Sequence, residues 1–522
     1  MRLRLVPLAL LSFLIPPQPF TVSGRVTNRD GLAVPGALVS LRRDGGTMTV
    51  TVYADDAGRY QADDLAGGSY TMRVAGAGYV PASLTVEAGD PVDVALEPAA
   101  DPWPTTTSAQ LLSLLPDGET KRGFILDCTG CHQFDRETVS SAAGTGLKTQ
   151  TEWRERVAQM LSFSGAASQF PIMSPSRNAD STAAWLGRHL GTIRPAIATA
   201  VPVAPAALVA RITEYDLPAP NDLPHDLIVA PDGNVVITGM MTHRMYLLDP
   251  ASGGIRTEPI PVPGANPRAV EIAADSSWWV LLGSPRKVAR RTPDGTWSTW
   301  DIGMYPHSIG LGSDGRVWFN GHFTKNPELL ASLDPATGTV TRHEVPTPPM
   351  VDGGSTIPYE LRLGPDGAVW VSQLAGGRLV RFEPASGRFQ LFGLPAPFSG
   401  PRRLEVDRAG RVWIPEYARN RLARFDPATE RFTEWELPVA DALPYVVRLD
   451  EERGAVWIGT GAGDALLRFD LRTERFTVFP LPTPGALVRH MDIDRRTGAV
   501  WLAYGASPSR SAAKVARVEV KE

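Results

Sequence analysis

Gly410-Arg411-Val412-Trp413-Ile414, Leu422-Ala423-Arg424-Phe425-Asp426-Pro427-Ala428-Thr429 and Phe432-Thr433-Glu434-Trp435-Glu436-Leu437-Pro438 follow one another in a chain of 522 residues. With Arg402-Arg403-Leu404-Glu405-Val406-Asp407 ahead of them, they form four runs in which apolar and polar residues alternate. That period of two predicts strands, and the glycine and Asp-Pro pairs between runs predict tight turns. Four strands in roughly 43 residues make one blade of a β-propeller. The tryptophan of the second strand recurs as Trp279, Trp318, Trp370, Trp413, Trp457 and Trp501, with Val236 in the first copy. Seven occurrences predict seven blades over residues 211–522, with these side chains packing between blades. Beyond Trp501 only Lys514–Val520 reads as a further strand. Ile212-Thr213-Glu214-Tyr215-Asp216-Leu217-Pro218 matches Phe432–Pro438 and is expected to supply the missing outer strand, closing the ring without an open edge.

Composition agrees with a turn-rich, mainly β, multi-domain chain. It holds 49 glycines and 47 prolines, well above their usual combined share of about 12%. A hydrophobic content of 43% and a charged content of 21% exclude wholesale disorder. The net charge of −4 gives no general attraction to nucleic acid or anionic membranes. Two cysteines, Cys128 and Cys131, exclude a disulfide-stapled scaffold.

Residues 1–19 read as an export signal: Arg2 and Arg4 precede the apolar run Leu5–Ile15, although Ile15-Pro16-Pro17-Gln18-Pro19 offers no small-x-small cleavage site. Periplasmic or secreted placement is therefore expected. No later segment has 18 uninterrupted apolar residues, so no transmembrane helix is expected in the mature chain. Residues 20–98 alternate in short glycine-broken runs that predict a small β-sandwich. Val22-Ser23-Gly24-Arg25-Val26, Val34-Pro35-Gly36-Ala37, Asp56-Ala57-Gly58-Arg59-Tyr60 and Gly68-Ser69-Tyr70 resemble the carboxypeptidase regulatory-like domain. The resemblance implies a seven-stranded, transthyretin-like accessory module, and the segment contains no histidine or cysteine for catalysis.

From residue 108 to 191 the period turns helical, with Leu111, Leu112, Leu114 and Leu115 starting one helix. Trp153, Val157, Met160 and Leu161 mark another, and a third around Ala183–Leu190 has Asn178 or Asp180 as its expected cap. Residues 192–210 form an Ala/Pro linker. Within the helical part, Cys128-Thr129-Gly130-Cys131-His132 has the C-x-x-C-H spacing of covalent haem c attachment. Two thiols three residues apart can each bond a haem vinyl, and His132 is then placed as proximal iron ligand. A dithiol redox pair lacks its βαβ context here, and a zinc half-site lacks a second paired-cysteine motif. Residues 108–191 resemble a short c-type cytochrome domain. Met160, on a Trp-x6-Met helix, is the favoured distal iron ligand; Met173, in the loop Phe170–Pro175, is the alternative, and His189 is a third candidate.

His225, Arg268, His307, Tyr359 and Arg402 lie eleven residues before the tryptophan slot in blades one to five; Tyr445 and Arg489 lie twelve before it in blades six and seven. Seven polar side chains are thus expected to converge on one mouth of the propeller channel, a site for a small molecule or peptide. Leu223-Pro224-His225, Tyr305-Pro306-His307, Ile357-Pro358-Tyr359, Pro365–Val371 and Phe425–Thr429 resemble the virginiamycin B lyase (streptogramin lyase) propeller. That resemblance implies elimination by a histidine base, His307 or His225, beside a magnesium ion held by glutamates. The glutamate two residues before the base is replaced by Leu223 and Tyr305; Glu416 fills the glutamate position after Trp413, which most other blades lack. Three functions follow as expectations. The first is electron transfer between the haem, a redox partner and a molecule at the propeller mouth. The second is a virginiamycin B lyase-like eliminase with an accessory haem domain, and the third is non-catalytic binding.

Overall fold

The computed structural model describes residues 20–87, 91–101, 103–130, 133–142, 146–191, 203–505 and 511–521. The export signal at 1–19, Cys131, His132 and most of the linker at 192–202 lie outside them.

The chain is mainly β. Six four-stranded antiparallel sheets follow one another from Pro224 to Pro480, the first running Pro224–Val229, Val235–Gly239, Arg244–Asp249 and Gly254–Pro259. The seventh blade holds Val488–Ile493, Val500–Tyr504 and Lys514–Val520, and its fourth strand is Ala210–Asp216, with Lys514 opposite Asp216 and Val520 opposite Ala210. This is the closure expected from the sequence. Each tryptophan of the slot is buried, and each packs against the next blade around the ring. Trp318 joins Leu361 and Val369, Trp413 joins Val447 and Ile458, and Trp501 joins Leu227 and Val235 of the first blade. The registers of blades one to four, six and seven shift near the start of the innermost strand, as between Pro224 and Leu227 and between Pro306 and Ile309. A bulge of this kind re-aims side chains at a sheet end, and here it falls at the channel mouth.

The N-terminal sandwich has eight strands where its family resemblance implied seven, one of them the two-residue Tyr79–Val80. Its second face contains Met48–Tyr53, Leu38–Arg43, Tyr70–Ala75 and Ala82–Val86. Met48–Val52 also pairs with Ala210–Asp216, Val50 standing opposite Thr213, so sandwich and seventh blade share one eight-stranded sheet. Alternation predicts that both segments are strands; it carries no information about which edge each one meets. In the region read as a linker, Pro205–Leu208 forms one helical turn before the closing strand begins at Ala210.

Between sandwich and propeller lie the helices Ser108–Ser113, Glu119–Cys128, Arg136–Val139, Gln150–Ser164 and Ala179–Leu190. Thr107 with Gln110 and Thr149 with Glu152 form capping boxes, each satisfying otherwise unpaired backbone donors. Asn178, one of the two expected caps, accepts the Ser181 N–H at 3.0 Å. Phe124 packs edge-on to Phe134 at 5.5 Å, and Phe134 stacks on Trp153 at 6.1 Å. Among the described residues no helix is long and apolar enough to cross a membrane.

Trp413 is 1% exposed and stacks on the partly buried Trp435 at 5.7 Å. Trp413→Ala is expected to cost about 3–5 kcal/mol, the usual range for emptying a buried aromatic site. Trp435→Ala, at the outer strand, should cost less. Urea midpoints at constant slope check both.

Candidate functional site

The helical segment is seated on the propeller by buried polar contacts. Lys121 Nζ lies 2.7 Å from the Asp441 carboxylate, and Ser113 Oγ donates to the same group at 2.9 Å. Arg122 donates to the Ala418 carbonyl oxygen at 2.9 Å, and the Tyr417 hydroxyl donates to the Thr129 carbonyl oxygen at 2.8 Å. Gly130 meets the propeller closely: a Cβ there would stand 2.6 Å from Nη2 of Arg402. The loop after Cys128 is thereby pressed onto the fifth blade, and Phe170 reaches the third blade, 6.1 Å from Tyr305 and 6.0 Å from Phe323.

Between these two contacts lies a cavity of about 1550 Å³, larger than the ~300–1,000 Å³ of ordinary small-molecule sites. Cys128, Met160 and Met173 line it from the helical side, with Phe124, Phe134 and Trp153 around them. His225, Arg268, Tyr359, Arg402 and Arg489 line it from the propeller, so five of the seven expected mouth residues face one space. Tyr445 sits just beneath, its hydroxyl on that of Tyr359. His307 is fully buried behind the lining, its ring 5.3 Å from that of His225. His189 packs against Trp185 at 5.9 Å.

The mouth is cationic and aromatic. The Arg402 guanidinium is caged by Tyr417, Tyr445 and Tyr359 at 4.0, 4.3 and 4.9 Å from their ring centres, and Arg268 lies 5.5 Å over Tyr305. Burial opposes ionisation of Tyr445, yet the Arg402 and Arg489 guanidinium groups pull its phenol below the ordinary value. One layer down, the charge is compensated: Arg403 lies 2.6 Å from Asp226 and 3.4 Å from Glu360, all buried. Burial would raise Asp226, but the Arg403 guanidinium holds it well below the usual carboxylate range.

His225 and His307 are held neutral, and each has its Nδ1 against a backbone carbonyl. His225 Nδ1 meets Asp226 Oδ1 and the Arg268 carbonyl oxygen, each at 2.7 Å, and burial with Arg268 pushes the imidazole down to about 3. His307 Nδ1 donates to the Tyr359 carbonyl oxygen at 2.7 Å, leaving Nε2 buried without a partner. Burial, His322 and Arg268 lower His307 far below the ordinary imidazole range. His322, absent from the sequence-based candidates, also lines the cavity and stacks on His307 at 4.2 Å. It follows the tryptophan slot of only one blade, so the repeat pattern gives no signal for it.

A magnesium site does not fit this arrangement. Asp226 and Glu360 are engaged by Arg403, and Glu416 is buried beside Glu434, which together with burial pushes its carboxyl up. Among the described residues no three His, Cys, Asp or Glu side chains are grouped to hold a metal ion.

Residues 349–521 match the virginiamycin B lyase family, and residues 21–97 match the carboxypeptidase regulatory-like domain. The first match begins after the third blade, so His225, His307 and His322 lie outside it. No curated protein matches the chain. Among solved structures, virginiamycin B lyase from Staphylococcus aureus is 20% identical, with 60% of this chain and 100% of that one covered at a TM-score of 0.52. A streptogramin B lyase is 19% identical, with 61% and 100% covered at 0.55. A catalytically inactive S. aureus virginiamycin B lyase with quinupristin gives 20%, 60%, 100% and 0.52. At these identities the likeness is one of fold: this chain carries a propeller like that of the lyases, joined to a domain of carboxypeptidase regulatory-like type.

Because Glu416 is raised, the native state keeps a proton that the unfolded chain releases above the ordinary carboxylate range. Stability therefore falls as pH rises from that range toward the higher native value, by at most about 1.4 kcal/mol per pH unit. Glu416→Gln should match the wild type at pH 5 and exceed it in melting temperature at pH 9. A gap that does not widen with pH would contradict the assignment.

Proposed function

We propose that this protein is an exported c-type haem protein, in which a cytochrome c-like segment over residues 108–191 covers the propeller mouth. Electrons would pass between the haem and a redox partner or a molecule held at that mouth. The observation that carries this reading is the cavity. The first cysteine of the C-x-x-C-H sequence stands at its edge, at the end of the helix Glu119–Cys128, and aromatic and thioether side chains line the space beyond.

The donor chemistry fits the group. Cys128 and Cys131 would hold it through thioethers, and His132 would be its proximal iron ligand. Met160 and Met173 are the methionine candidates on the distal side. Haem c, when bound, supplies one-electron chemistry at iron. The chain's own residues would do the rest. Phe124, Phe134 and Trp153 exclude water, and the guanidinium groups of Arg268, Arg402 and Arg489 favour anionic groups in the cavity. The apolar run with its basic start at residues 1–19 supports maturation outside the cytoplasm, where haem c is attached, and a periplasmic or secreted location.

The eliminase reading is favoured by one observation, the unpartnered Nε2 of His307. Its low basicity, full burial and the engaged carboxylates around it weigh against that use.

Expression with a c-type maturation system and the native leader should give protein that keeps its haem colour through denaturing electrophoresis and acidic acetone. Cys128→Ala with Cys131→Ala should lose it entirely, whereas His307→Ala should keep covalent haem at wild-type yield. Wild-type protein without covalent haem would overturn the proposal.

A further inference from the structure

We propose that the propeller mouth holds a small aromatic carboxylate bearing a hydroxyl, and that Arg268 is the side chain that binds its carboxylate. The site shares the cavity of the haem reading and does not depend on it. Arg268 lies on the innermost strand of the second blade, Pro267–Ile272, where the register shifts between Pro267 and Val270, and it lines the cavity. Its Nη1 meets the Met240 sulfur at 2.9 Å, and its guanidinium lies 5.5 Å over the Tyr305 ring. Its Nε is buried without a hydrogen-bond partner. Among the described residues no carboxylate pairs with it. One layer down, Arg403 has both Asp226 and Glu360. A guanidinium set in a cavity wall with only a thioether and a ring for company calls for an anion, and its fork matches the two oxygens of a carboxylate.

The surroundings of Arg268 select the rest of the molecule. The Tyr305 hydroxyl donates to Asn266 Oδ1 at 2.9 Å, and its ring packs 5.4 Å from Phe323 and 6.1 Å from Phe170. With Met240 and Met241 these rings give this side of the cavity an apolar wall suited to a flat ring. His322 continues the wall, 4.3 Å from Phe323. Its Nδ1 donates to the Pro358 carbonyl oxygen at 2.8 Å, so Nε2 is an acceptor, and burial with Arg268 keeps the imidazole neutral. His225 likewise has Nδ1 against the Arg268 carbonyl oxygen. Neutral imidazoles with acceptor nitrogens offer no donors to the several oxygens of a phosphate, whereas they suit a hydroxyl on the ligand. The guanidinium groups of Arg402 and Arg489 are turned to the Tyr359 and Tyr445 hydroxyls, at 2.8 and 3.3 Å. One anion for Arg268, a ring for Tyr305 and Phe323 and an O–H for an imidazole together describe a hydroxylated aromatic monocarboxylate.

Calorimetric titration of the full-length protein with para-hydroxybenzoate tests the site, with covalent haem measured on the same preparation. The acid should bind at least about tenfold more tightly than para-hydroxybenzyl alcohol, the usual scale of a hydrogen bond to a charged group. That comparison needs no variant. Arg268→Gln should erase the preference while the alcohol binds as before, and Arg268→Lys, which keeps the charge without the fork, should retain part of it. Benzoate should bind more weakly than its hydroxylated form, and excess inorganic phosphate should not displace the acid. Equal affinity for acid and alcohol would overturn the proposal, as would a preference unchanged in Arg268→Gln. Displacement by phosphate, or benzoate binding as tightly as para-hydroxybenzoate, would overturn the ligand class. Acid bound by protein that carries no haem fails the haem reading alone; haem-bearing protein that ignores the acid fails this one alone.

Discussion

The strand Ala210–Asp216 is the constraint on which the rest of the molecule depends. One edge of it pairs with Lys514–Val520 and completes the seventh blade; the other pairs with Met48–Val52 of the sandwich. Six of the seven blades form from consecutive strands and need no help from a distance. The seventh joins residues about three hundred positions apart, and without it the ring is open and the mouth residues have no common floor. Because the same strand carries the sandwich, the N-terminal module is fixed beside the mouth, where Val34, Pro35 and Leu38 become part of the cavity wall.

Inside that ring the polar residues are sorted by depth. The layer at the mouth carries arginines held among tyrosine rings. The next layer holds Arg403 between Asp226 and Glu360, and a third brings Arg362 and Arg448 near Glu405. Buried charges of this kind persist only when each is matched. The next layer engages Asp226 and Glu360 with Arg403, while the mouth presents cationic and aromatic surface. The blades are like those of the lyases, while the carboxylates nearest the mouth are spent on arginine.

Much of this is legible in the sequence. Trp318, Trp413 and Trp501 announced the blades through a fixed spacing, and Ile212–Pro218 announced the closure by matching Phe432–Pro438, because the outer strand of each blade meets a similar packing environment. The mouth positions could be counted back from the same tryptophans. His322 could not, since it belongs to one blade and breaks no pattern. The burial of His307 was equally hidden: a polar residue at a channel position reads as solvent-facing until a neighbouring segment covers it. Partner choice between sheet edges, as for Met48–Val52, depends on where the domains meet, and alternation along a strand does not encode that. Asn178 was chosen over Asp180 by the geometry of a single turn, a distinction of two residues that propensity leaves open.

The buried ion pair between Lys121 and Asp441 sets an order of events in biosynthesis. Its partners are 320 residues apart, so it cannot form until the chain through the fifth blade has been made. Before then, the face of the helix Glu119–Cys128 that later meets the propeller stands open to any enzyme that modifies it. Afterwards the loop at Thr129 and Gly130 is clamped between Tyr417 and Arg402. Any enzyme that acts on this face therefore meets it unhindered only while the chain is still being made, and the finished fold narrows its approach.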